Sequence, residues 1–115
     1  MIYPHHVLVW VSDMKRAIKF YTQVLGLPLL NESPHFSQVG GKNFKISLHL
    51  GAKSSERPKD SPIIVFHADD VDSAYEELKR RGVRFYRVPS RETPTVRVAE
   101  FQDSEGNRLS ISNAD

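Results

Sequence analysis

The sequence predicts an α+β fold in which two βαβββ modules form a cupped mixed sheet with the helices on its convex face. The order of strand-like and helix-like segments runs through the chain twice. Helix landmarks of the two copies sit 56 or 57 positions apart, and the strands alternate so that one face is apolar and the other polar and aromatic. A single domain over 1–115 is expected, with module one at about 4–50, a linker at 51–60 and module two at about 61–113. A chain of 115 residues is long enough to bury a modest core without disulfides.

In module one, His6 to Val11 (HVLVWV) reads as a strand. Ser12-Asp13 offers a helix N-cap, and Met14, Ala17, Ile18, Tyr21 and Leu25 recur at helical spacing until Gly26 ends the helix. Strands are expected at Leu27 to Asn31, at Phe36 to Val39 before the Gly40-Gly41 turn, and at Phe44 to Leu50. A polar loop over 51–61 follows.

Module two opens with Pro62-Ile63-Ile64-Val65-Phe66 and an Asp69-Asp70 cap. Val71, Ala74, Tyr75 and Leu78 share a helical face, and Gly82 closes the helix. Strands are then expected at about Arg84 to Val88, Val96 to Phe101 and Arg108 to Ser112, the last two joined by the turn Asp103-Ser104-Glu105-Gly106-Asn107. Asp13, Met14, Ala17 and Ile18 fall 57 positions before Asp70, Val71, Ala74 and Tyr75, and Gly26 falls 56 before Gly82. That offset indicates a duplicated module.

Successive strand residues point to opposite faces. Val7, Val9, Val11, Ile46, Leu48, Leu50, Ile64, Phe66, Leu109 and Ile111 make the side that the helices cover. The other face then carries His6, Leu8 and Trp10, Lys45, Ser47 and His49, Ile63, Val65 and His67, and Arg108, Ser110 and Ser112. Two histidines, a tryptophan and several hydroxyls on a concave face suit a ligand pocket, although a solvated sheet surface can look the same. Arg97 and Phe101 share a parity opposite Val96 and Val98, which places them on the inward face with Arg97 as a clamp for carboxylate or phosphate. A surface ion pair is the plainer reading of Arg97, and simple packing the plainer reading of Trp10. The same parity sends Glu100 toward the helices and leaves the inferred cup without a carboxylate base.

Hydrophobic residues at 39% and charged residues at 26% describe an ordinary globule rather than a disordered chain or a membrane span. The absence of cysteine excludes disulfides and thiolate metal ligands. The start Met1-Ile2-Tyr3-Pro4-His5 lacks the basic and apolar regions of a signal peptide, so a cytoplasmic location is expected. Lys79, Arg80, Arg81, Arg84, Arg87, Arg91 and Arg97 crowd one region, yet a net charge of +2 without aromatic-interleaved basic strips argues against nucleic acid. A solvated basic face, or attraction of an anionic small substrate, accounts for them.

The paired modules, the segment Val11-Ser12-Asp13-Met14 through Phe20-Tyr21 to Leu25-Gly26-Leu27, and the turn Asp103-Ser104-Glu105-Gly106-Asn107 resemble the vicinal-oxygen-chelate superfamily of glyoxalases, bleomycin-resistance proteins and extradiol dioxygenases. The resemblance covers nearly the whole chain, and the usual Asp-Pro-Asp-Gly of the late turn is altered at Ser104 and Glu105. It implies a homodimer and a small molecule held in the cup. It also implies, in metal-dependent members, a divalent ion held by His, Glu or Gln from the first and last strand of each module. Those positions fall on His6 and His49, which are good nitrogen donors, and on Ile63 and Ser110, which are not. His67 lies too far along its strand to replace Ile63 simply, His35 would need its loop to fold over the cup, and His5 has the opposite parity.

Two readings follow. One is a metal-free or weak-metal protein that binds a neutral or anionic small molecule, with Trp10, Ser47, Ile63, His67, Arg97, Phe101, Arg108 and Ser110 as binding residues. The other is a divalent-metal-dependent lyase, isomerase or dioxygenase acting on a substrate with vicinal oxygens, the ion serving as Lewis acid. A metal-free enzyme using His6 or His49 as acid and base is a third possibility.

Overall fold

In a computed structural model of the chain, the described residues are 1, 3–41, 43–51 and 63–114. The predicted linker beyond Gly51, and Ser61 and Pro62, lie outside them. The chain divides into two compact units, Met1–Glu56 and Arg57–Asp115. Each contains one four-stranded mixed sheet.

The first unit runs β1 (Val7–Val11), α1 (Met14–Lys19), a π-helical turn (Phe20–Val24), β2 (Leu29–Asn31), β3 (Phe36–Gly40) and β4 (Lys45–Leu50). Its sheet order is β1-β4-β3-β2, with β1 and β4 parallel and the other pairs antiparallel. The second unit runs β5 (Ile64–His67), α2 (Val71–Arg80), β6 (Phe85–Arg91), β7 (Arg97–Gln102) and β8 (Arg108–Ser112). Its order β5-β8-β7-β6 repeats the first, again with the first and last strands parallel. The duplication expected from the spacing is therefore present as topology.

Local chemistry explains the elements. The Asp13 carboxylate caps α1 by accepting the Arg16 N–H at 3.1 Å, and the Asp70 carboxylate caps α2 by accepting the Ser73 N–H at 3.0 Å. Gly26 and Gly82, at φ 80° and 93°, stop the two helical segments with the left-handed turn that glycine adopts without strain. The first helix was expected to continue as one α-helix to Leu25, but it widens into a π turn at Phe20. Thr22 Oγ1 donates to the Ile18 carbonyl at 2.7 Å, occupying the acceptor that an α-helix would give to the Thr22 N–H. The widened turn keeps Tyr21 fully buried beside Ala17 and Met14.

Burial alternates as predicted in β1, whereas in β4 and β8 the open-face serines Ser47, Ser110 and Ser112 are buried along with the apolar residues. Val9, Val11, Ile46, Leu48, Leu109 and Ile111 are buried, while Leu8 and Trp10 between them are exposed. In the second unit a ladder of rings joins helix to sheet: Tyr75 of α2 meets Phe85 at 4.6 Å between ring centres, and Phe85 meets Phe101 at 5.1 Å. Strand β6 ends its sheet, contains Pro89, and shifts register against β7 between Phe85 and Arg87 and again between Arg87 and Ser90. Among the described residues, no helix is long and apolar enough to cross a membrane.

The Ser73 N–H bond to the Asp70 carboxylate holds that group below its ordinary titration range. A depressed folded value means the cap contributes above the ordinary carboxylate range and is lost as pH falls through the folded value. Acid titration of unfolding stability should therefore show a smaller fall for Asp70→Asn, which keeps a capping oxygen without a titrating group; an unchanged pH profile would remove Asp70 from the explanation.

Candidate functional site

In each unit the face opposite the helix is built in rows, because paired strands set side chains side by side. In unit one the Cα register pairs Trp10 with His49 and Leu8 with Ser47, and continues from His49 to Phe36, from Ser47 to Gln38 and from Lys45 to Gly40. The first row is thus Trp10, His49 and Phe36. The second is Leu8, Ser47, Gln38 and, through the β2 pairing, Asn31. The third holds Lys45, with His6 one residue before β1 at the same level.

The first row is aromatic. Trp10 and His49 lie edge to face at 4.7 Å between ring centres, and Phe36 and His49 at 6.0 Å. His49 Nδ1 donates to the Leu50 carbonyl at 3.0 Å, which leaves Nε2 as the acceptor of the neutral ring. Trp10 remains 51% exposed. A Cβ at Gly51 would stand 2.7 Å from its Cε3, so only glycine leaves the indole in this place. The second row is a polar chain: Asn31 Nδ2 donates to Gln38 Oε1 at 2.7 Å, and Gln38 Nε2 donates to Ser47 Oγ at 3.0 Å. Ser47 itself is fully buried.

Unit two carries the same rows with different chemistry. Val65 pairs with Ser110 and His67 with Ser112, while Ser110 faces Glu100 and Ser112 faces Val98. A cavity of about 360 Å³ opens here, with Val65, Val96 and Val98 as apolar wall, Ser110 and Ser112 as hydroxyls, and Glu100 and Arg87 as charges. The Glu100 side chain is only 16% exposed and lies 3.6 Å from the guanidinium groups of both Arg87 and Arg108. Arg87 also donates to Glu92 at 2.7 Å, and this hydrogen bond raises the Arg87 pKa above its ordinary value. Arg108 reaches the Tyr86 hydroxyl at 3.4 Å. The register shift in β6 brings Arg87 opposite Glu100, a use of irregular pairing to re-aim a side chain.

This overturns the expected facing of β7. Phe101 pairs with Leu109 and Ala99 with Ile111, so Phe101 points toward α2 and is fully buried. Arg97 follows the same face: its Nε and Nη2 donate to the Asp72 carboxylate of α2 at 2.8 and 2.9 Å. Neither lines the open face, and Glu100, Val96 and Val98 do. The apolar character of Val96 and Val98 misled the parity argument. The five-residue turn from Asp103 to Asn107, closed by the Asp103 N–H to the Asn107 carbonyl at 3.0 Å, would have corrected it, since it sets Gln102 opposite Arg108 and hence Phe101 opposite Leu109.

The histidines do not converge. Because β1 and β4 are parallel with Trp10 beside His49, His6 lies level with Lys45, four residues or roughly 13 Å from His49 along the strand. The register also makes Ser47, rather than His49, the counterpart of Ser110, and pairs His49 with Ser112 in the repeat. His6 Nδ1 lies 2.7 Å from His5 Nδ1. His67 is held at both nitrogens, by the Ala114 carbonyl at 3.2 Å and the Asp69 carboxylate at 2.7 Å. The His35 carbonyl accepts the Leu50 N–H. No group of three or more His, Cys, Asp or Glu suited to a metal ion occurs among the described residues. A divalent ion of the kind the resemblance implies needs about four such donors around one point, and the residues present do not fit it. Arg108 and Ser110 lie in the rows of the open face of unit two through their pairings with Gln102, Glu100 and Val65, half-buried and buried respectively, and Ile63, half-buried, stands just before β5.

The basic crowd is mostly paired: Glu77 bonds both Arg80 and Arg81, Arg87 meets Glu92, and Arg97 meets Asp72. A second depression of about 550 Å³ lies between Ser12–Lys15 and Glu32–Pro34. It contains none of the residues singled out from the sequence as binding residues.

A family model described as Glyoxalase/Bleomycin resistance protein/Dioxygenase superfamily matches residues 3–111. The chain belongs to this superfamily. A similar curated protein is the uncharacterized protein YraH of Bacillus subtilis (strain 168), 30% identical over 88% of this chain and 90% of its own. A probable lactoylglutathione lyase of Vibrio cholerae is 24% identical over 92% of this chain and 86% of its own. Among solved structures, a superfamily member from Sphaerobacter thermophilus superimposes with a TM-score of 0.77 at 27% identity, covering 97% of each chain. Of these relatives only the Vibrio cholerae protein carries the name of an activity, and one fold hosts many chemistries, so the reaction has to be read from the faces themselves.

The corrected facing of Phe101 is open to direct measurement. Phe101→Ala should lower the unfolding free energy by about 3–5 kcal/mol, the cost of emptying a fully buried aromatic site. A loss near zero in denaturant titration would return Phe101 to the open face.

Proposed function

We propose that this superfamily member binds a neutral or anionic small organic molecule on its open sheet faces, without needing a metal ion, and works as a cytoplasmic homodimer. The observation that carries the reading is Trp10: a half-exposed indole, set against His49 and fitted over Gly51, beside the polar row of Ser47, Gln38 and Asn31. Exposed tryptophan has an apolar body that water solvates poorly, and a planar ligand covers it with little loss of conformational entropy. The cavity beside Glu100 offers the second unit's counterpart, with an ionisable oxygen that can accept a ligand's proton or hydrogen bond.

The metal-dependent reading is supported by relatives such as the Vibrio cholerae lyase, and it is checked by the same experiment. With chelator present, a planar aromatic compound should still shift the emission of Trp10, the one tryptophan in the chain. Gly51→Ala, which pushes the indole aside, should weaken that response by roughly tenfold, the scale of one lost stacking contact. A stoichiometric ion retained through dialysis against chelator would favour the metal-dependent enzyme instead.

The homodimer rests on β1 and β5, each the end strand of its own sheet. They leave Leu8 40%, Trp10 51% and Val65 59% exposed. Unpaired strand ends bearing apolar side chains favour covering by another chain. Light scattering at micromolar concentration should give twice the 13.1 kDa of one chain; the mass of a monomer would count against the assembly.

A further inference from the structure

The rows of unit one also say what kind of molecule the face takes, an inference that rests on the Trp10 reading above. The chemistry changes along the strands in one direction. The first row offers rings, Trp10, His49 and Phe36. The second offers neutral hydrogen-bonding groups, with Gln38 tied between Asn31 and Ser47 and Leu8 at its end. The third offers cationic and imidazole groups, Lys45 on β4 and His6 before β1.

Two facts give this gradient a direction for charge. By the strand pairings, no acidic side chain stands on this face among the described residues of unit one. The acids described in that unit are Asp13, which caps α1, and Glu32, which lies in the loop after β2. Lys45 is half-buried on strand β4, and among the described residues of unit one no carboxylate stands on the face to balance its charge. The matching position in unit two is Arg108, whose guanidinium lies 3.6 Å from Glu100. Unit one has the neutral Gln38 where unit two has Glu100, as the pairings with Ser47 and Ser110 show. A cation left unbalanced in this way attracts an anion supplied from outside, and a hydrogen bond from an ammonium to a carboxylate is stronger than one between neutral groups.

We infer that unit one binds an aryl acid: a molecule with a flat ring at one end, over Trp10, and a carboxylate at the other, on Lys45. The separation of the first and third rows is four residues, roughly 13 Å at strand rise. The lysine stem can bend back over part of it. A short acid such as benzoate cannot span the rows, and a fatty acid without a ring leaves the indole uncovered. The carboxylate of the ligand takes the part that Glu100 plays beside Arg108 in the repeat.

The test uses the full-length protein and the Trp10 emission, with a phenylhexanoate bearing its ring at the chain end, its neutral primary amide, hexanoate and benzoate as probes. Phenylhexanoate should bind at least tenfold more tightly than its amide and than either benzoate or hexanoate. Lys45→Met, which keeps the apolar stem and removes the charge, should bring acid and amide to equal affinity, with the acid losing far more than the amide. Circular dichroism verifies that the variant folds, and Lys45→Arg should restore the preference for the acid. Equal binding of acid and amide by the unaltered protein would overturn the aryl-acid inference while leaving the Trp10 platform standing. Persistence of the acid preference in Lys45→Met would overturn it as well. If none of the ring compounds changes the Trp10 emission or binds by calorimetry, the platform and the inference fall together.

Discussion

Parallel pairing of the first and last strands of each unit is the constraint on which the remaining geometry depends. It requires a crossover, and α1 and α2 with the strands after them supply it. Once Val7 stands beside Ile46 and Ile64 beside Leu109, every later row follows, because the antiparallel neighbours are added by short turns of fixed length. One register slip would exchange the core face for the open face throughout. The buried set that resists such a slip includes Val9, Val11, Ile46 and Leu48 in unit one and Leu109 and Ile111 in unit two. The open faces are therefore held by side chains that never touch a ligand.

The repeated frame carries two different surfaces. Ser47 and Ser110 occupy one position, Gln38 and Glu100 another, and Lys45 and Arg108 a third. Exchange of an amide for a carboxylate changes how the neighbouring cation is satisfied. In unit two Arg108 and Arg87 share Glu100, and the cavity is close to neutral once Glu92 is counted. In unit one the cation has an amide two residues further along. Duplication gave each surface its own backbone, so this divergence costs the other unit nothing.

Much of this was legible in the sequence, and the failures have distinct causes. The modules, both helix caps, both glycine stops and the facing of β1, β4 and β8 follow from spacing and alternation, which report directly on local geometry. Parity tells which face a residue takes but not its place along the strand, so it set His6 and His49 on one face while saying nothing of the 13 Å or so between them. It failed for β7 because Val96 and Val98 line a cavity, and an apolar residue beside a ligand space looks like core. The placing of Arg87 opposite Glu100 needed the β6 register shift, which leaves no mark in an alternation pattern. The π turn coincides with the Thr22 hydroxyl bond to the Ile18 carbonyl, and the apolar spacing of the helix does not reveal it.

Strand β6, with Pro89 and two breaks in register, ends its sheet in a way that reaches beyond the site. Proline offers no N–H to an incoming strand, and a broken ladder cannot be copied by a flat one. At the corresponding end of the first sheet, β2 is three residues long, too short to template much. Growth of either sheet by strands from other molecules is therefore discouraged at these two ends. Apolar side chains stay exposed on β1 and β5, while the opposite borders resist the unlimited stacking that leads to fibres.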